Sequence, residues 1–172
     1  MKTVETSEKI LVLGLGNYLM GDEGIGVHLI ERLASRVLPR EVTLLDGGTG
    51  GFHLLEYLEK YPTVIMVDAA LDDHEPGTVN VLRPRWAADF PAAMSTHDIG
   101  LKDLVGALQL LGRMPDLYLL TVSIRSIQQQ GILLTEEIGA VLPIVEQTLD
   151  DLIRALLSGH SQPLLREAMP AT

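Results

Sequence analysis

The sequence contains no cysteine. This absence excludes disulfide bonds, metal sites built from thiolates and a cysteine nucleophile.

Basic residues are scarce, with 13 Lys and Arg against 23 Asp and Glu, for a formal net charge of −10. Because no basic stripe exists to release counterions from phosphates, the composition argues against a nucleic-acid or anionic-membrane surface. The sequence also lacks an apolar run of about 18 residues or more. Its polar start, MKTVETSEK, contains no apolar signal core. We therefore expect a cytoplasmic protein that does not insert into a membrane.

Several catalytic and nucleotide-binding signatures are missing. There is no G-x-S-x-G elbow, no H-E-x-x-H pair and no G-K-[ST] phosphate loop. The glycines after the first apolar run, Gly14, Gly16 and Gly21, do not have the G-x-G-x-x-G spacing of a dinucleotide-binding loop. A Rossmann-type binder of small ligands is therefore disfavoured, and the sequence shows no familiar nucleophile.

Short apolar segments alternate with segments of helical periodicity along the chain. The predicted strands are residues 10–15, 42–45, 63–67, 77–82 and 117–124. The fourth alternates more than the others, which predicts an edge strand, and such a strand can pair in the antiparallel sense. This alternation predicts an α/β fold, a three-layer α/β/α sandwich with a mostly parallel, twisted, five-stranded sheet.

The predicted helices follow the strands. The first helix is marked by Gly21 and Asp22, and its apolar spacing continues to Val37. The second helix carries the leucines near residues 54–58, and the third begins near His97. The last covers residues 135–157, with Pro143 expected to bend or break it. The 172 residues are expected to form one domain, with a core over 9–158 and a frayed tail over 159–172.

Acidic residues follow three of the predicted strands. Glu23 lies at the start of the first helix, Asp46 follows the second strand, and Asp68 follows the third. In open α/β sheets, ligands bind where the carboxyl ends of strands converge with helix N-termini. A helix N-terminus also disfavours a cationic His97, so its imidazole stays able to bind metal. Two or three carboxylates with one imidazole predict a divalent-metal site with open positions for a substrate.

Each candidate also has an ordinary structural explanation. Asp22 and Glu23 would complement a helix dipole. Asp46 before two glycines can be a turn former, and His97 can extend a helix cap. Asp68 is harder to explain in this way, because a carboxylate beside a buried strand is costly unless it is used or capped. Four other histidines lack such neighbours and are expected at the surface: His28, His53, His74 and His160.

Four motifs occur in order between residues 9 and 157. They are GLGNYLMGDEGIGV from Gly14, LDGGTGG from Leu45, VDAA from Val67 and STHDIGL from Ser95. Taken together, they resemble the motif set of the [NiFe]-hydrogenase maturation endopeptidases, and four ordered motifs are far more specific than any one of them.

The resemblance implies a function and a set of site residues. Such enzymes remove a C-terminal extension from the hydrogenase large-subunit precursor after nickel insertion, and their nickel-contacting positions match Glu23, Asp68 and His97. Asp46 matches a further acidic position and is the candidate catalytic residue. We expect the nickel to be supplied by the substrate and the protein to be a monomer. One departure is the segment 123–131, SIRSIQQQG, which lacks the proline often found there in relatives and bears on which hydrogenase is served.

A second class of function stays open. The same three ligands could serve a non-catalytic nickel-binding chaperone or sensor that inspects the precursor without cutting it. The mass of a co-expressed precursor distinguishes these functions, because only a protease removes a fixed C-terminal fragment.

Overall fold

A computed structural model describes residues 9–91, 99–128 and 130–159. In this part of the chain, five strands form one sheet in the order β2-β1-β3-β5-β4. The strands are β1 (Ile10–Leu15), β2 (Val42–Gly48), β3 (Thr63–Ala70), β4 (Val79–Leu82) and β5 (Asp116–Ser123). The first three and β5 are parallel, whereas β4 pairs with β5 in the antiparallel sense. The predicted mostly parallel sheet and its antiparallel edge strand are confirmed.

Five α-helices connect or follow these strands within the described residues. They are α1 (Ile25–Leu33), α2 (Leu55–Lys60), α3 (Ile99–Leu110), α4 (Glu136–Gly139) and α5 (Leu142–Leu157). A 3-10 turn, Gly21–Gly24, precedes α1 and carries the acidic pair. The predicted break in the last helix lies between α4 and α5, where Pro143 occupies the first turn of α5 and the missing N–H of proline costs no hydrogen bond.

The sheet is covered on both faces, as the predicted three-layer sandwich requires. On one face, residues such as Val12 and Val67 pack with α1 and α5. On the other face, Leu13 and Met66 pack with α2 and α3. Because side chains alternate along a strand, these two clusters also fix the face to which each residue of the central strands belongs.

Two strands run past their predicted ends. The sequence predicts that β2 ends at Leu45 and β3 at Val67, because glycine and aspartate disfavour strands, but β2 continues through Gly48 and β3 through Ala70. Pairing overrides local preference here, since the ladder from β3 to β5 continues to Ala70. Asp46 and Asp68 therefore lie inside strands and not after them.

The first helix is shorter than predicted. It ends at Leu33, and Val37, which the helical spacing includes, is fully exposed. Apolar spacing shows which residues could share a face, but it does not show that a neighbouring element covers that face. The predicted tail lies beyond Gly159, outside the described residues. Among the described residues, no helix combines the length and the apolarity needed to cross a membrane.

Candidate active site at the carboxyl ends of the strands

The buried polar side chains of the described residues cluster at one edge of the sheet. They are Asp22, Glu23, Asp68, Thr121 and Ser123. The first two follow β1, and the others lie in the last residues of β3 and β5. Burying polar groups is costly, so their concentration at the ligand-binding edge of an α/β sheet indicates a functional site and not incidental packing.

Close backbone packing places Glu23 at this edge. Gly16 has a φ of +130°, and a β-carbon on it would overlap the backbone carbonyl of Glu23. A β-carbon on Gly26 would overlap the carbonyl oxygens of Leu15 and Val67. The 3-10 turn is thus pressed onto the ends of β1 and β3, and Glu23 is completely buried there.

Asp68 is the second buried carboxylate at this edge. It is completely buried, its Oδ1 accepts a hydrogen bond of 2.8 Å from the Ala69 N–H, and it pairs in register with Thr121. By strand alternation it shares the face of Met66, which is covered by α2 and α3. The 3-10 turn with Glu23 packs against the same strand.

Asp46 has a different environment. It is exposed on edge strand β2, and its Oδ1 accepts a hydrogen bond of 2.8 Å from the Gly48 N–H. Leu44, two residues earlier in β2, packs on the α1 side of the sheet, and alternation puts Asp46 on the same side. Asp46 is therefore open to a bound peptide and lies on the opposite face of the sheet from Asp68, which is on the side of α2 and α3.

The ligand set predicted from the sequence is only partly visible. His97 lies outside the described residues. Among the residues that the structure describes, no group of three carboxylate or imidazole side chains could hold a metal ion. The version of the site with three carboxylates is therefore not formed by Glu23, Asp46 and Asp68, whereas the version with Glu23, Asp68 and His97 stays a prediction.

Three polar residues of this edge were not singled out by sequence reasoning as parts of the site. Thr121 and Ser123 are buried on the face of Asp68, and their two-residue spacing within an otherwise apolar strand is the signal that identifies them. Gln128 binds Asp22 from a segment 106 residues away, which no local pattern reveals.

The expectation that His28 is a surface residue is wrong. Its ring stacks on Tyr18 with 4.6 Å between centroids, and its Nε2 is buried and has no hydrogen-bond partner among the described residues. A helix that is covered on one side buries some of its polar positions, and periodicity alone did not single out this one. His53 and His74 are exposed as predicted, and His160 lies outside the described residues.

A shallow depression lies at the opposite edge of the sheet. It is lined by the strand starts Ile10 and Thr63 and by Arg83, whose guanidinium pairs with Asp116 at 3.0 Å. These are the amino ends of the parallel strands, and Arg83 and Asp116 already satisfy each other. This depression therefore does not compete with the carboxyl edge as the candidate site.

The fold and the site together define an open α/β sandwich whose buried carboxylates lie at the ligand-binding edge. A family model described as hydrogenase maturation protease matches residues 27–151. The chain belongs to the hydrogenase maturation protease family. The matched range contains Asp46, Asp68 and His97 and begins after Glu23.

Individual relatives agree with this assignment. The Hydrogenase 2 maturation protease of Escherichia coli is 36% identical over 164 residues, which cover 94% of this chain and 98% of the relative. The hydrogenase expression/formation protein HupD of Rhodobacter capsulatus is 43% identical over 111 residues, covering 63% of this chain. The match spans about half (53%) of that HupD protein.

Solved structures show the same fold. The hydrogenase maturating endopeptidase HybD from E. coli superposes with a TM-score of 0.77 at 37% identity, covering 88% of this chain and 94% of HybD. The predicted family and fold class are thereby confirmed, and the predicted enzyme class is that of the family.

Proposed function

We propose that this protein is an endopeptidase that removes the C-terminal extension of a [NiFe]-hydrogenase large-subunit precursor after nickel insertion. The observation that carries the proposal is the burial of Glu23 and Asp68 at the carboxyl edge of the sheet, in a chain of the hydrogenase maturation protease family. Carboxylate oxygens at such an edge favour a cation, and a metal-loaded partner supplies one.

Nickel enters this account as part of the substrate. Glu23 and Asp68 provide oxygen ligands, and His97 is proposed as the nitrogen ligand. A set of two carboxylates and one histidine is weaker than the thiolate-rich sites that retain transition metals. A weak site lets the protein discriminate between precursors, because firm binding would require metal that is already held by the partner.

Asp46 is proposed to act on the peptide bond and not on the metal. It is exposed at the carboxyl end of an edge strand, beside Gly47 and Gly48, where backbone can approach an extended peptide closely. A carboxylate there can orient or deprotonate the attacking water. Its location on the other face from Asp68 supports this division of roles.

The test is to co-express the protein with a nickel-loaded precursor and to measure the precursor mass. Removal of a fixed C-terminal fragment supports the proposed protease. An unchanged mass with a stable complex would support the nickel-binding chaperone or sensor in its place.

A further inference from the structure

Asp22 joins the 3-10 turn to a distant part of the chain through its whole carboxylate. The residue is almost completely buried. Its Oδ1 accepts a hydrogen bond of 2.7 Å from the Thr135 N–H, and its Oδ2 accepts bonds of 2.9 Å from Thr135 Oγ1 and from Gln128 Nε2. Gln128 also accepts a bond of 2.9 Å at Oε1 from the Asp22 N–H. We call Asp22, Gln128 and Thr135 the Asp22 clamp.

Backbone contacts strengthen the same junction. The Gly21 N–H donates to the Gly131 carbonyl at 2.8 Å, and the Gly131 N–H donates to the Leu19 carbonyl at 2.9 Å. Gly21 has a φ of +58°, and a β-carbon on it would lie 2.7 Å from Gln128 Oε1. A side chain at position 21 would therefore be strained by its φ and would push Gln128 away from Asp22.

The clamp acts on the residue that follows it. Glu23 lies in the same four-residue 3-10 turn as Asp22, and so short a turn has little stability by itself. Thr135 also caps α4, since its Oγ1 accepts a bond from the Ile138 N–H, so the clamp is anchored to a helix. The turn that carries Glu23 is thus held from both sides, by the sheet through Gly26 and by the clamp through Asp22.

We propose that Asp22 and Gln128 are positioning residues that fix the turn carrying Glu23 for recognition of the nickel-loaded precursor. This inference rests on the function proposed above. Asp22 does not contact the metal in this account, because both of its oxygens are occupied by Gln128 and Thr135. It also gives the proline-free segment 123–131 a role, since this segment supplies Gln128.

The hydrogen-bond directions make the pair specific. In Asp22→Asn, the Oδ1 atom must still face the Thr135 N–H, so the new NH₂ group faces the Gln128 NH₂ group. Gln128 cannot relieve this conflict by rotating its amide, because its Oε1 also accepts from the Asp22 N–H. In Gln128→Glu, two carboxylates face each other. The double variant Asp22→Asn with Gln128→Glu restores a donor opposite an acceptor between positions 22 and 128 without changing the net charge, while the Thr135 hydroxyl, which donates to Asp22 Oδ2 in the wild type, must turn to accept from the new NH₂ group.

The experiment compares the two single variants, the double variant and the control Asp73→Asn, whose aspartate is exposed. Amide hydrogen exchange reports the turn at residues 19–24, with α5 as the internal reference. Cleavage of nickel-loaded precursor at limiting enzyme reports kcat/KM. An unsatisfied buried polar group should speed exchange in the turn and lower kcat/KM by about tenfold or more in each single variant.

The double variant tests the proposal most sharply. Recovery of slow exchange and of cleavage to within about threefold of wild type in the double variant supports the clamp as a positioning device, because additive damage would make the double variant the worst of the three. Single variants that cleave as fast as wild type overturn it, as does a double variant that regains slow exchange but not cleavage. A wild-type protein that leaves the loaded precursor intact overturns the proposed function, and the exchange comparison then decides the clamp separately.

Discussion

Gly26 lies directly against the carbonyl oxygen of Val67, at a distance that leaves no room for a β-carbon on Gly26. Gly26 is in the first turn of α1, and Val67 immediately precedes Asp68 in β3. Gly14 faces the same turn, since a β-carbon on it would overlap the Gly26 carbonyl. These contacts bring the start of α1, and Glu23 before it, onto the strand that carries Asp68.

Gly26→Ala should therefore destabilise the protein and displace the 3-10 turn. We expect a loss of about 1–3 kcal/mol, because the added methyl meets rigid backbone and not a movable side chain. Gly106→Ala in α3 is the matched control, since a β-carbon there meets no atom of the described residues within 4 Å. The control should gain about 0.5–1 kcal/mol from helix propensity. Urea unfolding measures both, and equal stability of the two variants would refute the packing argument.

Glu23→Gln and His97→Ala should each leave the protein folded and block processing of the precursor. Both residues are proposed metal ligands, so losing either one should weaken recognition of the bound nickel more than it disturbs packing. Circular dichroism checks the fold and gel mobility of the precursor checks processing. Processing at the wild-type rate by either variant would remove that residue from the ligand set.

Asp46→Asn should separate binding from cleavage. Asp46 is exposed and on the other face of the sheet from Asp68, so the variant should bind nickel-loaded precursor normally. Loss of a general base should slow cleavage by about 10²–10⁴-fold. Binding is measured by co-purification and cleavage by single-turnover kinetics. If binding and cleavage are lost together, Asp46 is a recognition or structural residue.

Tyr118 should make stability depend on pH in the alkaline range. Burial raises the pKa of its hydroxyl above the ordinary value of 10.0. The folded state then holds this proton more tightly than the unfolded state. The contribution of Tyr118 to the free energy of unfolding is therefore fully present below about pH 10 and is lost as the pH rises through the folded pKa. Tyr118→Phe should therefore lose less stability than wild type between pH 8 and pH 11 in urea titrations. Parallel losses in both proteins would contradict the shifted pKa.

The fold was largely predictable because its signals are local. Apolar runs such as residues 10–15 and 63–67 report strands buried on both faces, and their alternation with helices dictates a parallel sheet. Acids at the ends of such runs point to the carboxyl edge. These arguments need only neighbours in the sequence.

The details of the site were less predictable because they depend on long-range pairing. Asp22 looks like an ordinary helix-start residue in the sequence, but Gln128 and Thr135, more than 100 residues away, bind both of its carboxylate oxygens. The face of Asp46 depends on how β2 pairs with β1, where Gly14 lies opposite Asp46. Local propensity also predicted the ends of β2 and β3 too early, because it contains no information about a partner strand that continues the hydrogen-bonded ladder.

The most direct test of the account compares one precursor prepared with and without nickel. Purified protein is mixed with each form, and the release of the C-terminal fragment is followed by mass spectrometry. The account predicts that the loaded precursor is trimmed and the empty one is left intact, because only the loaded form supplies the metal that Glu23 and Asp68 recognise. Equal trimming of both forms, or stoichiometric metal retained by the isolated protein after mild chelation, would contradict it and indicate ordinary metal-assisted hydrolysis.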